Sequence, residues 1–278
     1  MSPGDTVLPG GDEMIPTAEA TGRLSADAVE RYREQGFLHV PGVLSAEEIG
    51  AALRAADELL DAEDPQIWGE SEQSVQNLYV EAGWRKHPAL RHLALHPMLT
   101  AIAEQLAGAP LRLYGTDVLR KDPEVHLPTV VHDDEPGLPL DGLSRTLTAW
   151  IPLVDVPVEG GCLSYVPGSH RRPPEHRQVH LASFADYRAM DDIWPEYPFR
   201  PRIAVPARVG DVLLHDFRTV HMAGSNQSDA RRMAFTVVYI DADARYRPGV
   251  QDHPVAHLAP GEPVTGDDFP LIRGGAAR

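Results

Sequence analysis

The apolar residues of this chain change period at Pro110, and that switch limits the fold more than any other feature. Before it the spacing is helical. Ser45-Ala46-Glu47-Glu48 reads as a capping box, and Ile49, Leu53, Ala56 and Leu60 follow on one helical face. Ser25 opens an earlier helix that Gln35-Gly36 closes, with a short strand at Phe37-Leu38-His39-Val40 behind it. A further strong helix is predicted from Pro88 to Ala107, closed by Gly108. After Pro110 the pattern shortens to strands: Leu111 to Leu119, Thr129 to Val131, Thr146 to Leu153, Cys162 to Val166, Arg202 to Val205, Asp211 to Leu214 and Arg232 to Ile240. Turns such as Glu159-Gly160-Gly161 and Pro167-Gly168-Ser169 separate them. Helices first and short strands after predict an α+β chain, mainly β, whose helices buttress one side of a closed or sandwiched antiparallel sheet.

The rest of the chain sets the boundaries. Residues 1–22 lack periodicity and are expected to form a flexible or loosely docked arm, with one domain over 23–247 and an extended tail over 248–278. Two long loops stand out, Glu135 to Ser144 and a lid-like, aromatic segment at 171–201 that suits either a binding lid or packing on the outside of the barrel. A net charge of −16 leaves no basic patch for phosphates, so nucleic acid is not an expected partner. No apolar run approaches membrane-spanning length. The single cysteine, Cys162, cannot form an intramolecular disulfide, and no signal peptide is read at the N-terminus, so a cytoplasmic protein is expected. The expected partner is a small-molecule substrate, and the chain itself a monomer or homodimer.

The chemistry gathers at Thr129-Val130-Val131-His132-Asp133-Asp134, a β-branched strand running into polar residues. On a strand, His132 and Asp134 project to one face, an imidazole beside a carboxylate. A second histidine would complete the two-histidine, one-carboxylate face that holds Fe(II) and leaves positions open for oxygen chemistry. His215 and His221, on or after the strand that Gly210-Asp211 opens, compete for that role. Arg231-Arg232 begins a later strand, where a guanidinium can grip a carboxylate with two parallel hydrogen bonds. Arg232 shares parity with the small residues Ala234 and Thr236, which leaves room for a small organic acid, while Arg231 points outward. His92 and His96 also stand four apart on a predicted helix, but no acidic or histidine partner nearby completes a site, and structural histidines are expected.

Taken in order, these features resemble the phytanoyl-CoA dioxygenase family of Fe(II)/2-oxoglutarate oxygenases. Gly36-Phe37 and the Ser45 helix, His132-x-Asp134, Gly161-Cys162-Leu163 before Pro167-Gly168-Ser169-His170, Gly210-Asp211 before His221, and Asn226-x-Ser228 with Arg232 carry the likeness over roughly residues 23–245. The resemblance implies a double-stranded β-helix, or jelly-roll, core. It implies iron held by His132, Asp134 and His221, with 2-oxoglutarate as cosubstrate, its distal carboxylate on Arg232, and O2 as oxidant. It favours His221 over His215. Trp150 matches an aromatic lining the cosubstrate slot, and Thr129 a hydroxyl position of some relatives, although strict alternation turns Thr129 away from His132. Halogenating relatives replace the carboxylate with a small residue; Asp134 is present, so hydroxylation or another oxidation of an unactivated C–H is implied, in bacterial secondary metabolism. Asp133 and Glu135 suggest an amine-bearing substrate. The alternative from another class is a non-catalytic, cupin-like β-barrel that binds a small ligand.

Overall fold

The computed structural model describes residues 5–7, 22–62, 65–68, 75–123, 127–179, 181, 186–249 and 254–272. The helices come first, as predicted. In α1 (Ala26–Gln35) the Ser25 hydroxyl accepts from the Ala28 N–H at 3.2 Å. Its end is set by Gly36 at φ +85°, where a Cβ would collide with the His170 ring and the Thr219 hydroxyl. The capping box of α2 (Ala46–Ala62) closes both ways: Ser45 Oγ accepts from the Glu48 N–H at 3.2 Å, and Glu48 Oε2 accepts from the Ser45 N–H at 2.9 Å. After a short α3 (Gly83–Lys86), the helix expected over Pro88 to Ala107 is two helices, α4 (Pro88–Ala94) and α5 (Pro97–Ala107). Pro97 is the cause. It has no N–H to donate, and it drives His96 to extended backbone at φ −59°, ψ 129°.

The strands are β1 (Asp5–Val7), β2 (Phe37–Val40), β3 (Gln66–Trp68), β4 (Asn77–Glu81), β5 (Leu111–Lys121), β6 (Thr129–His132) and β7 (Leu140–Asp141). They continue with β8 (Leu147–Pro152), β9 (Leu163–Tyr165), β10 (Arg202–Val205), β11 (Val212–Asp216), β12 (His221–Ala223), β13 (Arg232–Asp241) and β14 (Arg245–Tyr246). They form a seven-stranded sheet ordered β2-β11-β8-β13-β5-β4-β3, a five-stranded sheet ordered β1-β10-β9-β12-β6, and a β14-β7 pair. The two large sheets have open edges, and the mixture is mostly sheet with helices on one side. Among the described residues the single parallel pairing is β1 with β10, so part of the expected N-terminal arm lies along a sheet edge; the remainder of that arm to residue 21 lies outside the described residues.

Alternation along the strands makes two cores. One parity of the large sheet, including Ala149, Ile151, Leu214 and Phe235, meets Ile49, Leu90, Leu93 and Ile102 of the helices. The other parity, including Leu119, Trp150, Leu213 and Ala234, meets Leu163, Tyr165 and Ala223 of the five-stranded sheet. The candidate site lies in this second layer. A short α6 (Met190–Ile193) belongs to the 171–201 segment, whose Met190, Ile193, Trp194 and Tyr197 bury themselves against Val166 and Val220, leaving Phe199 88 % exposed. The expected extended tail has little regular structure over residues 254–272, yet it is not detached. Val255, Val264, Phe269 and Ile272 are buried, and the Ile272 N–H donates to the Leu111 carbonyl. Among the described residues no helix is long and apolar enough to cross a membrane.

Candidate metal centre and anion pocket

His132, Asp134 and His221 converge. One ligand atom from each lies within 4.8 Å of the other two. His132 and His221 are opposite one another in the β6–β12 ladder, and their ring centroids are 4.2 Å apart. Each ring is oriented by a backbone carbonyl. His132 Nδ1 donates to Val130 O at 2.7 Å, and His221 Nδ1 donates to Thr219 O at 2.9 Å. With the proton on Nδ1, each Nε2 keeps its lone pair for a cation.

Asp134 reaches the site by another route than the one expected. Strand β6 ends at His132, and Asp134 sits in the following turn at φ −82°, ψ −14° rather than two residues along a strand. Its N–H donates to Phe217 O, which anchors the turn, and its Oδ2 accepts from Thr148 Oγ1 at 2.7 Å. Burial pushes the Asp134 carboxyl upward, but the neighbouring His215, His221 and His132 outweigh it and hold the group well below the usual range. Burial, then the two adjacent imidazoles, push His221 well down. The site is therefore one anion and neutral nitrogens, which suits a divalent ion.

His215 stands behind this cluster. Its ring centroid is 4.4 Å from that of His221, Nε2 is 3.4 Å from Asp134 Oδ2, and Nδ1 is 3.2 Å from the Tyr165 hydroxyl. It backs the carboxylate and lies outside the three-residue cluster.

Arg232 is buried in the same layer. Its Nη1 donates to Gly161 O at 2.8 Å and its Nη2 to Asn77 Oδ1 at 2.7 Å, while its Nε has no hydrogen-bond partner among the described residues. Its guanidinium carbon is 6.0 Å from the centre of the Trp150 ring, whose buried indole N–H also lacks a hydrogen-bond partner among the described residues. Arg231 points outward to Asp57, as parity predicted.

The sequence reading missed two residues here. Asn77 donates to Thr129 Oγ1 at 3.0 Å. Lys121 is fully buried, and its Nζ donates to Leu127 O, Thr129 Oγ1 and Gly224 O at 2.9, 3.1 and 3.0 Å. Burial, then the adjacent Arg232, lower its ammonium to about 6. Among the described residues the hydrogen-bond partners of both side chains are uncharged, so the pocket holds two buried basic groups with no carboxylate answering them. Lys121 follows Leu119 on the inward parity of β5, and a lysine on an apolar face was a readable signal; Asn77 carried none.

Thr129 belongs to this pocket despite its parity. On β12, His221 and Ala223 are two residues apart, but their partners His132 and Thr129 on β6 are three apart. The extra residue is a β-bulge, and it turns Thr129 to the same side as His132. Asp133 and Glu135, expected as free acids for an amine, are already paired. Asp133 accepts from Arg172; Glu135 takes a two-bond fork from Arg177 and a third bond from Arg218. They offer no free charge to a substrate, so the amine-bearing expectation loses its basis.

The model of the phytanoyl-CoA dioxygenase family matches residues 32–234. The phytanoyl-CoA dioxygenase domain-containing protein 1 of Mus musculus is 28 % identical over 159 residues, 56 % of this chain and 54 % of that protein. The chain thus spans about half the length of that curated relative. Among solved structures, the non-heme alpha-ketoglutarate-dependent carbocyclase SnoK from nogalamycin biosynthesis is 57 % identical with a TM-score of 0.89, over 92 % of this chain and 99 % of that one. The epimerase SnoN, in complex with Fe3+, alpha-ketoglutarate and nogalamycin RO, is 40 % identical with a TM-score of 0.77, over 89 % and 98 %.

Proposed function

The chain belongs to the phytanoyl-CoA dioxygenase family, and from that premise we propose that residues 23–247 form one catalytic domain that oxidises a C–H of a small molecule in bacterial secondary metabolism. It is a non-haem iron, 2-oxoglutarate-dependent oxygenase. The rival reading, a ligand-binding barrel without chemistry, is not favoured by relatives that are enzymes. The two facing sheets and the helical buttress support a double-stranded β-helix core. The 57 % identity to a carbocyclase and 40 % to an epimerase support an oxidative tailoring step on a substrate of the nogalamycin kind.

The residues present fit the groups this chemistry needs. Two carbonyl-oriented imidazoles and a depressed carboxylate leave Nε2, Nε2 and a carboxylate oxygen for one ion, so His132, Asp134 and His221 would hold Fe(II). The Arg232 Nε and Trp150 N–H, both without a hydrogen-bond partner among the described residues, and the basic Lys121 beside them fit a dicarboxylate. Arg232 and Lys121 would bind the distal carboxylate of 2-oxoglutarate, Asn77 and Thr129 would hold those cations in place, and Trp150 would wall the slot. Iron with 2-oxoglutarate and O2 supplies the oxidant, and the protein supplies orientation, charge and a dry cavity. Thr148 and His215 keep the Asp134 carboxylate aimed and ionised. Leu119, Trp150, Leu213 and Ala234 exclude water from the layer.

The observation that carries this reading is the convergence of His132, Asp134 and His221 beside a buried arginine that has no anionic partner among the described residues. The test is succinate formation from 2-oxoglutarate by the purified protein, with and without Fe(II). Turnover that requires the metal, and that disappears in Asp134→Ala, is expected. Equal turnover in that variant would overturn the ligand assignment.

A further inference from the structure

Three side chains remote from the iron centre are placed like a metal site. They lie on the helical buttress, on the opposite side of the seven-stranded sheet. Glu48 comes from the first turn of α2, His92 from α4, and His96 from the residue before Pro97. Glu48 Oε1 is 2.9 Å from His92 Nε2 and 3.2 Å from His96 Nε2, and the three ligand atoms all lie within 4.8 Å of one another. Zinc bonds of about 2.0–2.2 Å set tetrahedral ligand atoms roughly 3.3 Å apart, close to this spacing.

The three groups are held by their surroundings. The other Glu48 oxygen, Oε2, accepts from the Ser45 N–H at 2.9 Å and the Ser45 hydroxyl at 2.7 Å. Oε1 is therefore the oxygen presented to the histidines, and the capping box acts as the carboxylate's outer support. Pro97 fixes the His96 backbone at φ −59°, ψ 129°, and His96 stands beside His92. The two rings stand at 82° with centroids 5.6 Å apart. The His96 side chain is only 15 % exposed, so its ring is held in place beside Glu48. The helical spacing of the histidines was visible in the sequence. The acid that completes the set was not, because it lies 44 residues before His92.

We propose that Glu48, His92 and His96 bind a second divalent transition ion of the zinc class, distinct from the iron centre, which clamps α2 to the α4–α5 junction. Two imidazoles and one carboxylate satisfy three positions, and water completes the shell. Ions that prefer nitrogen ligands are selected over magnesium or calcium. Filling the site exchanges the two imidazole–carboxylate contacts for metal bonds with little movement of the backbone.

The test is a Zn2+ titration against a chromophoric chelator, with thermal unfolding alongside, on the full chain. The parent protein is expected to bind two equivalents, His92→Ala one, His221→Ala one, and the His92→Ala/His221→Ala pair none. Glu48→Gln, which can still serve the capping box, is expected to weaken the second equivalent at least tenfold. Zinc should raise the unfolding midpoint of His221→Ala but not that of the double variant. A second equivalent unaffected by both His92→Ala and Glu48→Gln, or a parent whose single equivalent is untouched by His92→Ala, would overturn the proposal. Loss of the equivalent that depends on His221 bears on the iron centre alone.

Discussion

His132 and His221 are partners across the β6–β12 ladder, with ring centroids 4.2 Å apart. Two protonated imidazoles at that separation would repel. Burial lowers both, and their mutual proximity lowers His221 further. Each therefore meets a metal as a neutral ligand, and metal binding near neutrality displaces few protons. Affinity for Fe(II), or for Ni(II) as a redox-inert probe, is expected to stay level from pH 8 to about the ordinary imidazole value of about 6.5, and to fall only below it. Anaerobic titrations across that range check this; an affinity that already declines tenfold between pH 8 and 7 would contradict it.

Thr148→Val removes the hydroxyl that donates to Asp134 Oδ2 and conserves side-chain volume. Metal affinity should fall by about 10–100-fold with the fold retained. Asp134→Ala removes a proposed ligand outright, and the loss should be larger. Equilibrium metal binding with circular dichroism on the same samples separates the two effects from unfolding.

Lys121 titrates near 6 in the unliganded pocket, because burial and Arg232 both disfavour its charge. It is accordingly mostly neutral at pH 7.5. A dicarboxylate beside it favours the ammonium, so binding of 2-oxoglutarate should take up a proton. The uptake should shrink as pH falls below about 6, where the amine is already charged. Calorimetry in buffers of different ionisation enthalpy measures it. Lys121→Met should abolish the uptake and raise KM for 2-oxoglutarate by about tenfold or more; uptake that persists in the variant would assign the proton elsewhere.

Asp117 is inward-facing on β5, between its register partners Glu81 and Thr236. Burial, then Glu81, raise its carboxyl to about 7. Between about pH 4 and 7 the unfolded chain has lost this proton and the folded chain has not. Stability therefore falls as pH rises through that window, by on the order of 4 kcal/mol for this group, and levels above it. Asp117→Asn should flatten the fall and be the more stable protein at pH 8. Urea unfolding at a series of pH values checks the sign.

Legibility in the sequence followed the range of the interaction. Strand β2 and helices α1 and α2 were readable because their signals are local: a cap, a glycine, an apolar stripe. Pro97 is equally local, but the run of leucines on either side of it masks the break it makes. His132, Asp134, His221 and Arg232 stood out by residue type and order. Their company did not. Asn77, which ties Arg232 to Thr129, comes from a strand that carried no sequence signal, and Glu48 meets His92 only through tertiary packing. The acids Asp133 and Glu135 looked available because their arginines, Arg172, Arg177 and Arg218, lie on distant segments.

The supernumerary residue in β6 makes the length of that strand a functional quantity. It rotates the backbone by half a pleat between the end that carries His132 and the end that faces Lys121 and Asn77. Deleting Val130 or Val131 would restore regular pairing and preserve the hydrophobic character of the strand, yet it would swing Thr129 away from Lys121 and Asn77 while His132 stayed in place. Side-chain replacements at these two valines should be borne far better than loss of either one, so in this stretch the spacing between positions matters more than what occupies them.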